Sequence, residues 1–78
     1  AENAIETKVA VSSLLETIWS EAKELSGDKQ HLITLYTDEK LMLMGIEAEL
    51  RSLFSNIIFN AVKYTPAKGS ITIEWYLE

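Results

Sequence analysis

Two amides and an ammonium recur at helical spacing within residues 51–66, which read RSLFSNIIFNAVKYTP. At about 100° per residue, the side chains of Asn56, Asn60 and Lys63 fall within roughly 60° of one another around a helix. Amide oxygens are neutral ligands that a hard cation accepts, and a lysine ammonium meets phosphate as a point charge. The spacing therefore predicts a surface suited to a magnesium-bound polyphosphate.

The same helix needs an apolar side that holds it against a core. Apolar residues recur beside the three polar ones and predict such a stripe. Its members are Leu50, Leu53, Phe54, Ile57, Ile58 and Ala61.

Each polar residue also has an interpretation without a function. Asn60 could be a surface asparagine or one that bends the helix through a hydrogen bond. Asn56 could be solvated at the helix flank. A lysine near a helix C-terminus, such as Lys63, commonly compensates the helix dipole. Tyr64 could cover the helix end, so the residues alone leave these alternatives open.

Composition limits the class of protein. Seventy-eight residues make one domain at most. A net charge of −5, with 7 Lys and Arg scattered along the chain, argues against a nucleic-acid partner. The chain has no cysteine, which excludes disulfides and thiolate metal sites. No apolar run approaches the ~18 residues of a membrane span, and no signal peptide is visible.

Local patterns predict the elements that position the polar residues. Short strands are expected at 8–11, 32–37, 41–44 and 70–77. Helices are expected from Ser12 or Ser13 to Gly27, with a Ser13-x-x-Glu16 capping box, and over residues 47–63, ended by Pro66. The order β-α-β-β-α-β predicts an α+β fold with the helices on one face of a sheet. The last strand would leave an open edge, which predicts self-association of the chain.

The polar motif carries a resemblance to a known family. Residues 56–66, Asn-x-x-x-Asn-Ala-x-Lys-Tyr-Thr-Pro, resemble the N box of the sensor histidine kinase ATP-binding domain. The similarity extends upstream through Gly-Ile-Glu-Ala-Glu-Leu-Arg at 45–51 and downstream through Gly-Ser-Ile-Thr-Ile at 69–73. The run at 50–66, with Trp75 after it, most resembles the phosphate-regulon sensor kinases.

The resemblance implies a partial Bergerat fold, a two-layer α/β sandwich. Residues 1–78 would be the N-terminal half of the ATP-binding catalytic domain. The family's adenine-reading Asp-x-Gly-x-Gly motif and its glycine-rich lid are absent from this sequence. The phosphoacceptor motif is absent too, because His31 lacks its flanking residues, and His31 is expected to be a surface residue.

The resemblance also implies roles for individual residues. The residue matching Asn60 offers its amide oxygen to magnesium, and Asn56 supplies a second amide. Lys63 would meet phosphate and Tyr64 would lie along the nucleotide. Hydrolytic relatives carry a glutamate at the position of Asn56, and an amide cannot take a proton from water as that base does. No catalytic residue is expected within this chain.

The whole protein would then be a histidine protein kinase and an inner-membrane sensor, with this chain in its cytoplasmic part. It would use Mg-ATP to phosphorylate a His in its own phosphoacceptor domain and pass the phosphoryl group to a response regulator. The 78-residue chain alone is expected to be inactive and to bind ATP weakly or not at all. The alternatives are a small dimerising α+β interaction module without nucleotide chemistry, and an anti-sigma kinase or hydrolytic ATPase of the same fold.

Overall fold

The computed structural model describes residues 6–76 and confirms the predicted α+β order of elements. The elements are β1 Thr7–Ala10, α1 Val11–Ser26, a 3-10 turn Gly27–Lys29, β2 Leu32–Thr37, β3 Met42–Gly45, α2 Glu47–Tyr64 and β4 Ser70–Trp75. Residue 77, where the last strand was expected to end, lies outside the described residues. Over residues 6–76, neither helix has the length and apolar content needed to cross a membrane.

The strands form two pairs where the sequence predicts one sheet. Strands β1 and β3 pair antiparallel, with Val9 opposite Leu43. Strands β2 and β4 pair in parallel, with Ile33 opposite Ile71. Successive strands β2 and β3 are not paired with each other in this part of the chain. An alternating pattern shows which face of a strand is apolar, and it does not show which strand lies beside it.

Side chains from α1, α2 and three strands share one core. Its members are Val9, Val11, Leu14, Leu15, Ile18, Ala22, Ile33, Ile58, Val62, Ile71 and Ile73. Trp19 packs against this cluster, and its indole Nε1–H donates to the carbonyl oxygen of Ile33 at 2.8 Å. Helix α1 is thereby bonded to β2 as well as packed on it.

The start of α1 differs from the prediction, whereas its end agrees. The helix begins at Val11 with Ala10 as its N-cap and no side-chain cap hydrogen bond, so the predicted Ser13 capping box is wrong. Ser13 already lies inside the first turn, where its side chain cannot act as the cap. At the other end, Gly27 adopts φ 46° and donates its N–H to the carbonyl oxygen of Lys23. This positive φ is the reason that a glycine suits the position.

The predicted apolar stripe of α2 is only partly buried. Ile58 and Val62 lie in the core, while Leu50, Phe54 and Ala61 pack at its edge. Leu53 and Ile57 are instead 52% and 58% exposed, so their assignment to the buried stripe is wrong. On a helix, Ile57 is turned by about 100° from Ile58 and Leu53 by about 140°. Both therefore lie beyond the arc that α1 and the strands cover.

Candidate functional site

The four predicted site residues lie on the solvent side of α2. Asn56, Asn60 and Lys63 are exposed, and Tyr64 is 73% exposed. The side chain of Asn60 is turned by about 160° from that of the buried Ile58. The helix therefore presents all four away from the core, and their predicted contacts with a nucleotide remain a prediction.

Two of these residues border a cavity. A cavity of about 400 Å³ lies between the end of α1 and the C-terminal half of α2. Its lining residues are Leu25, Ser26, Asp28, Lys29, Phe59, Asn60, Val62 and Lys63. Asn56 and Tyr64 do not line it and lie on the open part of the helix face. The structure thus joins Asn60 and Lys63 in one recess and leaves the other two outside it.

Apolar side chains lie among the polar ones on this face. Leu53 and Ile57 are one turn apart, and both are more than half exposed. Around the helix, Leu53 falls between Asn60 and Ile57 at the standard turn per residue. We call this surface the mixed face of α2, made of Leu53, Asn56, Ile57, Asn60, Lys63 and Tyr64. It can contact a ligand or a segment that has both apolar and polar parts.

The amide oxygens of the mixed face fit the chemistry of a hard cation. Asn56 and Asn60 are both exposed, and each carries a neutral amide oxygen of the kind that hard cations bind. The ammonium of Lys63 lies 5.3 Å from the centroid of the Tyr64 ring, within the range of a cation–π contact. Among the described residues, no group of three or more His, Cys, Asp or Glu could hold a metal ion.

The C-terminal end of α2 is bonded to the turn that follows α1. The ammonium Nζ of Lys29 donates to the carbonyl oxygen of Lys63 at 2.8 Å and to that of Val62 at 3.4 Å. The imidazole Nε2 of His31 lies 2.8 Å from the carbonyl oxygen of Thr65 and 3.0 Å from that of Pro66. Sequence reasoning did not single out Lys29.

The expectation for His31 needs a correction. The sequence predicts a surface histidine, whereas the structure places it half-buried between the ends of α1 and α2. Its partner Thr65 lies 34 residues further along the chain. No local pattern around His31 shows such a contact.

Arg51 links the two helices at the other end of α2. Its guanidinium Nη2 lies 3.3 Å from Oε2 of Glu21 on α1. Both side chains are about half exposed. Ion pairs of this kind contribute little to stability because water screens them.

Comparison with known proteins shows which protein sequences this chain is similar to. No family model matches the chain. Curated relatives do match, and the chain is homologous to a segment of the sensor histidine kinases. This agrees with the resemblance carried by residues 56–66.

One of these relatives is the phosphate regulon sensor protein PhoR of Pseudomonas aeruginosa. The chain is 50% identical to it over 70 residues, which are 90% of the chain and 16% of PhoR. The sensor protein kinase PmrB of the same organism is 34% identical over 65 residues, 83% of the chain and 13% of PmrB. The chain therefore spans less than a fifth of the length of either relative.

Proposed function

We propose that this chain is part of a histidine protein kinase and that the mixed face of α2 contributes to its Mg-ATP site. The whole protein phosphorylates a His in its own phosphoacceptor domain and passes the phosphoryl group to a response regulator. The whole protein is a sensor held in the inner membrane, and this chain lies in its cytoplasmic part. One observation carries the proposal: Asn56, Asn60 and Lys63 are all exposed on one side of α2, in a chain half identical to part of PhoR.

The proposed roles follow from the chemistry of each side chain. The amide oxygens of Asn60 and Asn56 hold magnesium, and the ammonium of Lys63 meets a phosphate. The exposed ring of Tyr64 lies along the nucleotide. Magnesium, when bound, neutralises the charge on the phosphates during transfer. The protein's own contribution is to position the nucleotide, because phosphoryl transfer depends mainly on alignment and electrostatic stabilisation.

The residue type at Asn56 supports transfer to a protein side chain. A hydrolytic enzyme needs a base that takes a proton from water, and a neutral amide has no such capacity. A kinase needs to exclude water as an acceptor, so an amide suits it better than a carboxylate does. This favours the kinase over a hydrolytic ATPase of the same fold.

The decisive experiment replaces Asn60 by Ala in the natural protein that contains this chain. We expect autophosphorylation to fall on the order of a hundredfold, as when one preorganised electrostatic group is removed from a transfer site. Ser20→Ala is the matched control, because Ser20 is exposed on α1, away from the mixed face. Phosphorylation that survives Asn60→Ala at the control's rate would overturn the proposal.

In the 78-residue chain the mixed face is exposed, so it would contact a nucleotide from one side only. We expect the chain to be inactive and to bind Mg-ATP no more tightly than about millimolar, because a ligand that keeps most of its surface in water gains little. Isothermal titration calorimetry measures this directly. A micromolar dissociation constant would show that the chain holds a complete site.

The exposed apolar groups and strand edges also favour self-association of the chain. Within residues 6–76, β4 pairs with β2 along one edge and with no strand along the other. An unpaired edge offers backbone donors and acceptors to a second chain. We propose that two copies join through this edge. Sedimentation velocity at high concentration tests this, and a clean monomer would contradict it.

A further inference from the structure

The last turn of α2 is held by side chains from outside the helix. Lys29 bonds to the carbonyl oxygens of Val62 and Lys63, and His31 bonds to those of Thr65 and Pro66. We call this arrangement the C-terminal clamp, made of Lys29 and His31. Both residues lie between α1 and β2, so their hydrogen bonds connect the end of α2 to the segment that follows α1.

The clamp changes how the charge of Lys63 is interpreted. The last carbonyl oxygens of a helix lack partners within it and carry partial negative charge. Here the ammonium of Lys29 already lies on two of these carbonyls, including that of Lys63 itself. The ammonium of Lys63 is therefore not needed to compensate the helix end, and it lies near the exposed ring of Tyr64. This weakens the interpretation of Lys63 as a residue that only compensates the helix dipole.

His31 is itself anchored on both sides. Carbonyl oxygens only accept hydrogen bonds, so the contacts with Thr65 and Pro66 require the proton on Nε2. The backbone N–H of His31 donates to Oγ of Ser26, a buried residue at the end of α1. The N–H of Lys68 donates to the carbonyl oxygen of Lys29 at 2.7 Å. The turn after α1 and the loop after α2 are therefore hydrogen-bonded to each other through residues of both segments.

We propose that Lys29 and His31 are positioning residues that fix the last turn of α2 and so set the directions of Lys63 and Tyr64. This inference rests on the proposed function, because the clamp would orient Lys63 toward the phosphates and Tyr64 toward the nucleotide. Lys29 also borders the same cavity as Asn60 and Lys63, so its loss changes the recess that these two residues share.

The first measurement is amide hydrogen exchange in the 78-residue chain with Lys29→Met. The N–H of Thr65 is bonded to the carbonyl oxygen of Ala61 in the last turn, and we expect its exchange to accelerate roughly three- to tenfold. The N–H of Leu50, bonded to Ile46 at the opposite end of α2, should keep its rate. Lys29→Arg, which can still donate to both carbonyls, should restore the slow exchange. Lys40→Met, in the turn after β2, removes the same charge elsewhere and should have no effect at Thr65.

The second measurement is the affinity of the natural protein for Mg-ATP. Lys29→Met should weaken the affinity for Mg-ATP several-fold, whereas Lys29→Arg should bind it about as tightly as the wild type. Asn60→Ala should bind Mg-ATP more weakly than either Lys29 variant. Unchanged exchange at Thr65 in Lys29→Met would overturn the clamp. Faster exchange without loss of affinity, in a protein where Asn60→Ala does lose affinity, would overturn its positioning role. If the wild-type protein binds no Mg-ATP, the proposed function is wrong, and the exchange rates at Thr65 still support or overturn the clamp.

Discussion

The two helices of this chain use similar numbers of residues in different ways. Helix α1 has 16 residues, of which seven are buried: Val11, Ser12, Leu14, Leu15, Ile18, Ala22 and Ser26. Helix α2 has 18 residues, of which Ile58 and Val62 are buried. Leu53, Ile57 and Tyr64 on α2 are each more than half exposed. The longer helix thus contributes less to the core.

Packing explains most of the sequence of α1, although Leu25 is 58% exposed, and it leaves much of α2 unexplained. An apolar side chain that stays in water gives up the stabilisation of about 25 cal/mol per Å² that burial provides. Single exposed apolar residues are ordinary, but Leu53 and Ile57 adjoin one another and two amides on the same face. The comparison therefore points to α2 as the helix whose outer side serves binding, and to α1 as its support.

The largest expected effect comes from removing buried atoms from α1, the helix that supports α2. Ile18 on α1 is 0% exposed, so Ile18→Ala leaves a cavity that the surrounding residues fill only in part. We expect the free energy of unfolding to fall by about 2–5 kcal/mol. Urea denaturation followed by tryptophan fluorescence measures this loss. Ser20→Ala, exposed on the same helix, is the control and should stay within about 0.5 kcal/mol of wild type.

A loss below about 1 kcal/mol for Ile18→Ala would contradict the comparison. It would mean that the core can close around the missing atoms, so that α1 does not carry the packing assigned to it here.

A matched pair on α2 separates its buried side from its exposed side. Ile58 is 6% exposed and its neighbour Ile57 is 58% exposed. Ile58→Ala should cost about 2–4 kcal/mol, whereas Ile57→Ala should change the stability of the chain by less than about 1 kcal/mol. The same denaturation experiment measures both. Equal losses would show that the mixed face is covered in solution, which would contradict the comparison.

Much of the fold could be predicted because local signals agreed with one another. Strand β2 occupies the predicted residues 32–37, where strand-forming residues follow one another. Helix α2 ends at Tyr64, one residue after its predicted end, because Pro66 disfavours helical backbone at Thr65. In both places a change of residue type marks the boundary.

Features set by distant contacts could not be predicted. The apolar period of α2 gives the direction of its buried side, but the width of that side depends on what α1 and the strands cover, so Leu53 and Ile57 were placed wrongly. The pairing of β2 with β4 places Ile33 opposite Ile71, and the residues of neither strand indicate which other strand it pairs with. The bonds from Lys29 to the end of α2 likewise span more than 30 residues.

The candidate site shows the same division. Spacing predicted that Asn56, Asn60 and Lys63 share a helix side, and the structure agrees because this geometry is local to α2. The cavity that Asn60 and Lys63 border also needs Leu25 and Ser26 from the end of α1. The position of this cavity depends on how the two helices pack. The spacing of polar residues along α2 gives no information about that packing.

The smallest expected effect concerns the start of α1, where sequence and structure disagree. At an N-cap, Ser→Ala costs about 1 kcal/mol and Ser→Gly only a few tenths, because the side-chain oxygen is the group that matters. Inside a helix the order is reversed, since Ala is the better helix former and Gly costs about 0.5 kcal/mol more than Ser. Ser13 lies inside α1 in the structure. We therefore expect Ser13→Ala to change stability by less than about 0.5 kcal/mol and Ser13→Gly to be the less stable of the two. Thermal and urea denaturation of both variants decide this, and a more stable Ser13→Gly would mean that the capping box forms in solution and that α1 begins later than Val11.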